Sequence, residues 1–198
     1  MINIDNISSE IPFQKFKEAY EAALKANQAN IEAICISSFS KNLNEVNSRF
    51  VNLKKIVDQN FIFFTNYESI KSIEFKNHKQ VSIAFFWNKI NTQIRMKANI
   101  IKTDKKLNKE YFFKRSKEKN ALALSSNQSK VINSFEEVIK NYKNTLENDN
   151  LEVCPEYWGG YTFTPYSFEF WQGHEFRLNE RNSYTKKDNK WLHTILQP

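Results

Sequence analysis

The chain has three glycines, four prolines and two cysteines among 198 residues. Cys35 and Cys154 lie far apart, with no CxxC pair and no histidine at metal-ligand spacing, so neither a disulfide framework nor a zinc site is expected. No apolar run of about 18 residues occurs, which excludes a membrane-spanning helix and makes a membrane partner unexpected. The opening MINIDNISSEIPFQKF carries acidic residues and lacks the basic stretch and apolar run of a signal peptide. The expected location is the cytoplasm, with both thiols reduced. Internal repeats, low-complexity tracts and linkers are also missing, and the length is enough to bury one core, so residues 1–198 are expected to form a single domain.

What is abundant is phenylalanine, at 17 residues, which assigns much of the packing to aromatic rings. Lys and Arg number 29 against 22 Asp and Glu, a formal net charge of +7 that favours anionic partners. Nucleic acid and phosphorylated metabolites both qualify. The lysines are scattered among asparagines, as in KNLNEVNSR and KNYKNTLENDN, which describes a solvated surface, whereas a nucleic-acid patch needs basic residues focused on one face. No nucleic-acid partner is expected.

Helical spacing of Phe13, Phe16, Tyr20, Ala23 and Leu24 predicts a helix over about 12–25, packed on a sheet as a lid. Strand-like runs follow in IEAICISS, SRFVNLK, FIFFTN, VSIAFFW and TQIRMKANIIK. Between them YESIKSIEFKN reads as a short helix. Longer helices are predicted from Asp104 to about Lys117 and from Gln128 to about Leu146, the second with Val131, Ile132, Phe135, Val138, Ile139 and Tyr142 on one stripe. Strands return from Tyr161 to Trp171, around Phe176 to Tyr184, and from Trp191 to Leu196. Strands in runs with helices outside them imply an α+β fold, mainly β, built on an antiparallel barrel.

All three glycines, Gly159, Gly160 and Gly173, fall in or beside WGGYTFTPYSFEFWQG. Glycine is needed where φ is positive or where a backbone or ligand comes close. This window is either the functional segment or a pair of tight barrel corners.

PEYWGGY (155–161) followed by FEFWQGHEFRLNER (168–181) resembles the C-terminal signature of the pyridoxamine 5'-phosphate oxidase family. Upstream, RFVNLK, FFTNYESIK, FWNKINTQIR, YFFKR and SSNQSKVINS match the same family in order and spacing, so the resemblance runs from about Ile11 to Pro198. It implies an FMN-binding split β-barrel and a homodimer with FMN at the subunit interface. The implied activity, part of vitamin B6 metabolism, is oxidation of pyridoxamine or pyridoxine 5'-phosphate to pyridoxal 5'-phosphate. Hydride passes from C4' to flavin N5, O2 is the acceptor and H2O2 the product.

The resemblance implies FMN contacts at Arg49, Phe50, Val51, Asn52, Leu53, Lys54, Phe64, Thr65, Lys71, Gln93, Gln128, Ser129, Trp171 and Arg181. Substrate contacts are implied at Lys54, Tyr111, Arg115, Lys119, Arg177 and Asn179. Arg177 and Asn179 stand at the catalytic positions, Arg177 over the reacting edge of the substrate. Local physics can be attached to several of these. Lys71 follows Thr65 and Ser69 near a predicted helix start, where the dipole and free N–H groups favour a phosphate. Strand alternation turns Gln93 away from the core, and Tyr111 and Arg115, four apart on a predicted helix, share a face. Arg49 and Lys54 have opposite strand parity; a bulge, or a ligand wrapping past the strand end, would reconcile them. Catalysis by a bound flavin requires no metal, nucleophile triad or carboxylate pair.

Three positions depart from the family pattern. Arg-Leu-His becomes Arg177-Leu178-Asn179, Ser-Arg-Lys becomes Ser69-Ile70-Lys71, and Lys119 stands where a serine is usual. A split-barrel flavoprotein acting on another small substrate, or one without oxidase activity, is the alternative.

Overall fold

The computed structural model describes all residues from Met1 to Pro198. Its strands are β1 (Asn3–Ile7), β2 (Ala33–Ser40), β3 (Glu45–Asp58), β4 (Asn60–Asn66), β5 (Gln80–Trp87), β6 (Thr92–Lys102), β7 (Trp158–Gln172), β8 (Glu180–Lys187) and β9 (Lys190–Ile195). The helices are α1 (Ile11–Lys25), α2 (Ile70–Asn77), α3 (Lys105–Phe113), α4 (Lys117–Ser125) and α5 (Phe135–Asn148).

Strands β3, β2, β5, β6, β7 and β4 pair in that order, and β4 returns to β3, so the sheet closes into a ring. Every pairing in the ring is antiparallel; β1 adds to β3 in parallel, and β8 and β9 extend from β7. The two longest strands do the splitting. β3 pairs with β2 through Asn52 and with β4 from Leu53. β7 pairs with β4 through Phe163 and with β8 from Ser167, with a register shift near Pro165. This is the mainly β split barrel anticipated from the sequence.

Alternation explains how the ring fills. In β6, Ile94, Met96, Ala98 and Ile100 are buried while Arg95, Lys97 and Asn99 are exposed. Helix α1 is less a lid than a plug, because Phe13 and Phe16 reach inside. Phe13 meets Phe61 and Phe168, and Phe16 meets Phe61, Phe85 and Trp87, mostly edge to face. Burying such rings contributes about 1.5–3 kcal/mol each, and nine of the 17 phenylalanines are buried, so these rings make up much of the core.

Two helix expectations change. The helix expected from Asp104 to Lys117 stops at Phe113, and α4 starts afresh after Ser116, so Arg115 lies in the break. The third helix begins only at Phe135, where the Ser134 hydroxyl accepts from the Glu137 N–H at 3.2 Å, leaving Gln128 and Ser129 in a loop. Val131 and Ile132 of the expected stripe therefore lie outside the helix, and Phe135 and Ile139 within it are 71% and 40% exposed.

The glycines also work differently from one of the two expectations, since none has positive φ. Left-handed turns fall mainly to Asn6, Asn27, Asn30, Asn44, Asn91 and Asn189 and to Asp58 and Asp188. The glycines are present for close approach. A Cβ on Gly159 would overlap Tyr67 Oη and Asn108 Nδ2, and one on Gly160 would press on Thr103 and Phe64.

Candidate active site

The register of β4 against β3 steps from Leu53–Phe63 to Lys55–Ile62, so Lys54 is the extra residue of a bulge. Arg49 and Lys54 line one cavity of about 810 Å³, whose β3 wall takes residues of both parities. β3 contributes Arg49, Phe50, Val51, Asn52 and Lys54 to its wall, and β4 contributes Phe64 and Thr65. Lys71 enters from α2, Tyr111 from α3, Arg115 from the α3–α4 break, Lys119 from α4, and Gln128 and Ser129 from the following loop. Lys114, Ile70 and Trp158, which carried no sequence assignment, line it too. Trp158 could have been found, since it directly precedes the glycine pair. Lys114 had no signal beyond its neighbours in YFFKR.

One side of the cavity is aromatic. The rings of Phe64 and Tyr111 stack at 3.8 Å and 3°, and Trp158 continues the stack at 5.3 Å and 7° from Phe64. The Arg115 guanidinium lies 4.6 Å over the Trp158 ring. Its Nη2 donates to the Lys119 carbonyl at 3.1 Å, while its Nη1 is buried without a partner. Burial pushes the Arg115 pKa down and the Tyr111 pKa up.

The other side is cationic. Lys71 is only 7% exposed, and its ammonium donates to the Ser69 hydroxyl at 3.1 Å. Burial first, and then the Arg49 charge, pull its pKa down to about 8, with Glu74 acting in the opposite sense. Arg49 in turn bonds the Glu74 carboxylate at 3.1 Å. Lys54 pairs with Glu32 at 3.4 Å. Gln128 Oε1 accepts from the Asn66 N–H at 3.4 Å, which ties the loop to the end of β4. No carboxylate lines the cavity.

The remaining predicted residues lie elsewhere in the chain. Leu53 is fully buried in the core. Gln93, Trp171 and Arg181 are cross-strand neighbours with Phe86 on the outer face of the ring. Arg181 bonds Glu169 at 2.9 Å and Glu169 also holds Arg95 at 3.1 Å. Arg177 and Asn179 sit in the exposed turn before β8, where Phe176 and Arg177 have φ of 55° and 60°. The Asn179 side chain accepts from the His174 N–H at 3.2 Å.

Known structures share this architecture. PhzG from Burkholderia lata, in complex with tetrahydrophenazine-1-carboxylic acid, superposes with a TM-score of 0.88 at 26% identity, covering 96% of this chain and 93% of that one. A pyridoxamine 5'-phosphate oxidase-related, FMN-binding protein from Nostoc punctiforme has the same fold, with a TM-score of 0.78 at 13% identity, covering 96% and 99%. Ring topology and neighbours together define a protein of the split-barrel fold.

Residues 16–144 match the pyridoxamine 5'-phosphate oxidase family model, and residues 158–198 match the pyridoxine 5'-phosphate oxidase C-terminal dimerisation region. Proteins named pyridoxine/pyridoxamine 5'-phosphate oxidase are similar over most of their length. One from Hydrogenovibrio crunogenus is 34% identical, covering 94% of this chain and 88% of its own. One from Leptospira biflexa is 39% identical, covering 76% and 72%, and one from Haemophilus influenzae 32%, covering 96% and 90%. The chain belongs to the pyridoxamine 5'-phosphate oxidase family.

FMN is the cofactor of this family, and the residues present fit it. A buried ammonium and a guanidinium that share a single carboxylate, Glu74, at the first turn of α2 leave a surplus of positive charge that a phosphate monoester suits. The stacked wall and the cavity volume suit a flat ring system. No glycine-rich loop for a second phosphate is present, which favours FMN over FAD. No helix is long and apolar enough to cross a membrane.

Proposed function

We propose that this protein oxidises pyridoxamine or pyridoxine 5'-phosphate to pyridoxal 5'-phosphate, with O2 as electron acceptor and H2O2 as product. The observation that carries this reading is Arg115, which stacks on Trp158 and lines a cavity that also receives Lys114 and Lys119 and no carboxylate. Such a group calls for a second anion besides the cofactor phosphate, and the adjoining Tyr111 ring provides a flat surface for a pyridine.

Bound FMN supplies the hydride acceptor and, by reoxidation with O2, the peroxide. The protein's part is placement. Arg49 and Lys71 hold the cofactor phosphate; Arg115 and Lys119, with Lys54, hold the substrate phosphate, while Tyr111 packs beside the ring. Lys54 contributes less than its position suggests, because Glu32 already pairs with it.

The catalytic residues Arg177 and Asn179, and the cofactor residues Gln93, Trp171 and Arg181, lie outside this cavity and within the segments β6 to β8. We infer that they serve the cavity of a second copy in a homodimer. Support comes from the match to a dimerisation region over 158–198 and from uncovered apolar groups on the same outer face, Phe86 at 60% and Phe50 at 76% exposure. Light scattering should then return roughly twice the chain mass of 23.5 kDa.

A second reading has its own observation. PhzG shares the fold with a different ligand bound, and this chain replaces three family residues by Ile70, Lys119 and Asn179. The two readings separate under anaerobic conditions. Stoichiometric pyridoxamine 5'-phosphate should bleach the bound flavin if the first is right, and a flavin that stays oxidised would favour the second.

A further inference from the structure

We propose that Glu74 is a positioning residue for the cofactor phosphate: from behind the cavity its buried carboxylate fixes the Arg49 guanidinium and balances the paired cations Arg49 and Lys71. The inference rests on the proposed role of Arg49 and Lys71.

Glu74 is 4% exposed and does not line the cavity. A carboxylate buried this deeply must be fully satisfied, and its partners come from three strand positions opposite α2. Arg49 Nη2 donates to Oε2 at 3.1 Å, Asn47 Nδ2 to Oε1 at 2.8 Å, and the Ser38 hydroxyl donates a short bond to Oε2. The Ser38 oxygen accepts from Arg49 Nη1 in turn. The guanidinium is thereby held through Nη1 by Ser38 on β2 and through Nη2 by Glu74 on α2, and its position on the cavity wall is set before any ligand arrives.

The second consequence is electrostatic. Lys71 and Glu74 are three apart on α2, and Arg49 faces both from β3. These are the charged groups acting on Lys71; Glu45 reaches the cluster only through its 3.1 Å bond with Asn47. Two cations crowded together out of water would drive a proton off the lysine. Glu74 opposes that loss, so the ammonium persists near neutral pH and a dianion meets two charges.

The test is a titration of FMN affinity against pH, by quenching of flavin fluorescence with cofactor-stripped full-length protein, from above the phosphate pKa of ~6 up to pH 9.5. Wild-type affinity should hold a plateau and fall above about 8, where Lys71 loses its proton. Glu74→Gln keeps one acceptor for Arg49 and removes the charge, so the fall should move to lower pH with the plateau kept or raised. Glu74→Asp keeps the charge and shortens the reach, so the plateau should drop several-fold with the midpoint unmoved. The proposal is overturned if Glu74→Gln lowers affinity equally at every pH, as a general packing defect would, or if Glu74→Asp matches wild type. If wild-type protein binds no FMN, the phosphate reading itself fails; if it binds FMN and only the variant pattern is absent, the reading stands without the role for Glu74.

Discussion

Arg115→Ala is expected to raise the Michaelis constant for pyridoxine 5'-phosphate about tenfold to a hundredfold, from the loss of a charge-assisted contact worth about 1.5–3 kcal/mol. The size of the effect follows from the setting. The guanidinium is stacked on Trp158, and one of its nitrogens is already committed to the Lys119 carbonyl. It is thus oriented before the substrate arrives, and little is lost in ordering it. FMN content should be unchanged, because the cofactor phosphate is assigned to Arg49 and Lys71. Arg115→Lys should recover only part of the loss, since a compact ammonium lacks the planar face that stacks on Trp158 and the fixed fork of donors that grips a phosphate. Unphosphorylated pyridoxine is the control. Equal losses with both substrates would show that Arg115 supports the aromatic wall and does not bind a phosphate.

Lys71→Met should produce opposite changes in two measurements. Affinity for FMN should fall by about tenfold to a hundredfold on the same reckoning. The cofactor-free protein should become more heat-stable, because a buried cation crowded by Arg49 is replaced by an apolar chain of similar length. The pH dependence has a definite sign. Burial lowers the lysine's folded-state pKa to about 8, so an unfolded chain binds the proton more readily. In the cofactor-free protein this residue's contribution to stability therefore grows as pH rises through 8 towards the ordinary lysine range. Affinity for the phosphate falls over that same rise. Methionine at 71 should remove both trends, and a variant that loses FMN and stability together would contradict the assignment.

Much of the ring could be read from the sequence because strands with one buried face announce themselves. β6 alternates without a break over Ile94, Met96, Ala98 and Ile100, and β5 and β7 are dense in aromatic residues. The opening strand β1 escaped notice because its five residues pair in parallel at the sheet edge and carry two asparagines and an aspartate. The break at Ser116 was missed for a different reason. Residues on both sides are good helix formers, and a single hydroxyl capping position is a faint signal within a run of lysines.

At the site, the family motifs supplied the residue types, while the structure decided which of them one chain can bring together. RFVNLK could not reveal that Arg49 and Lys54 line one cavity, because the register step beside Lys54 depends on the partner strand β4 and the rest of the wall comes from distant segments. Glu74 lay inside a predicted helix with nothing to distinguish it, since its role depends on Ser38 and Asn47 arriving from other strands. The separation of Gln93, Trp171 and Arg181 from the cavity was likewise invisible in a linear pattern.

The most direct test of the central claim is turnover in air with pyridoxine 5'-phosphate, following aldehyde and peroxide together. The account predicts one pyridoxal 5'-phosphate formed for each peroxide, carried out by protein that retains FMN, and far slower turnover of unphosphorylated pyridoxine. Protein that holds FMN yet forms neither product from pyridoxine or pyridoxamine 5'-phosphate would contradict it.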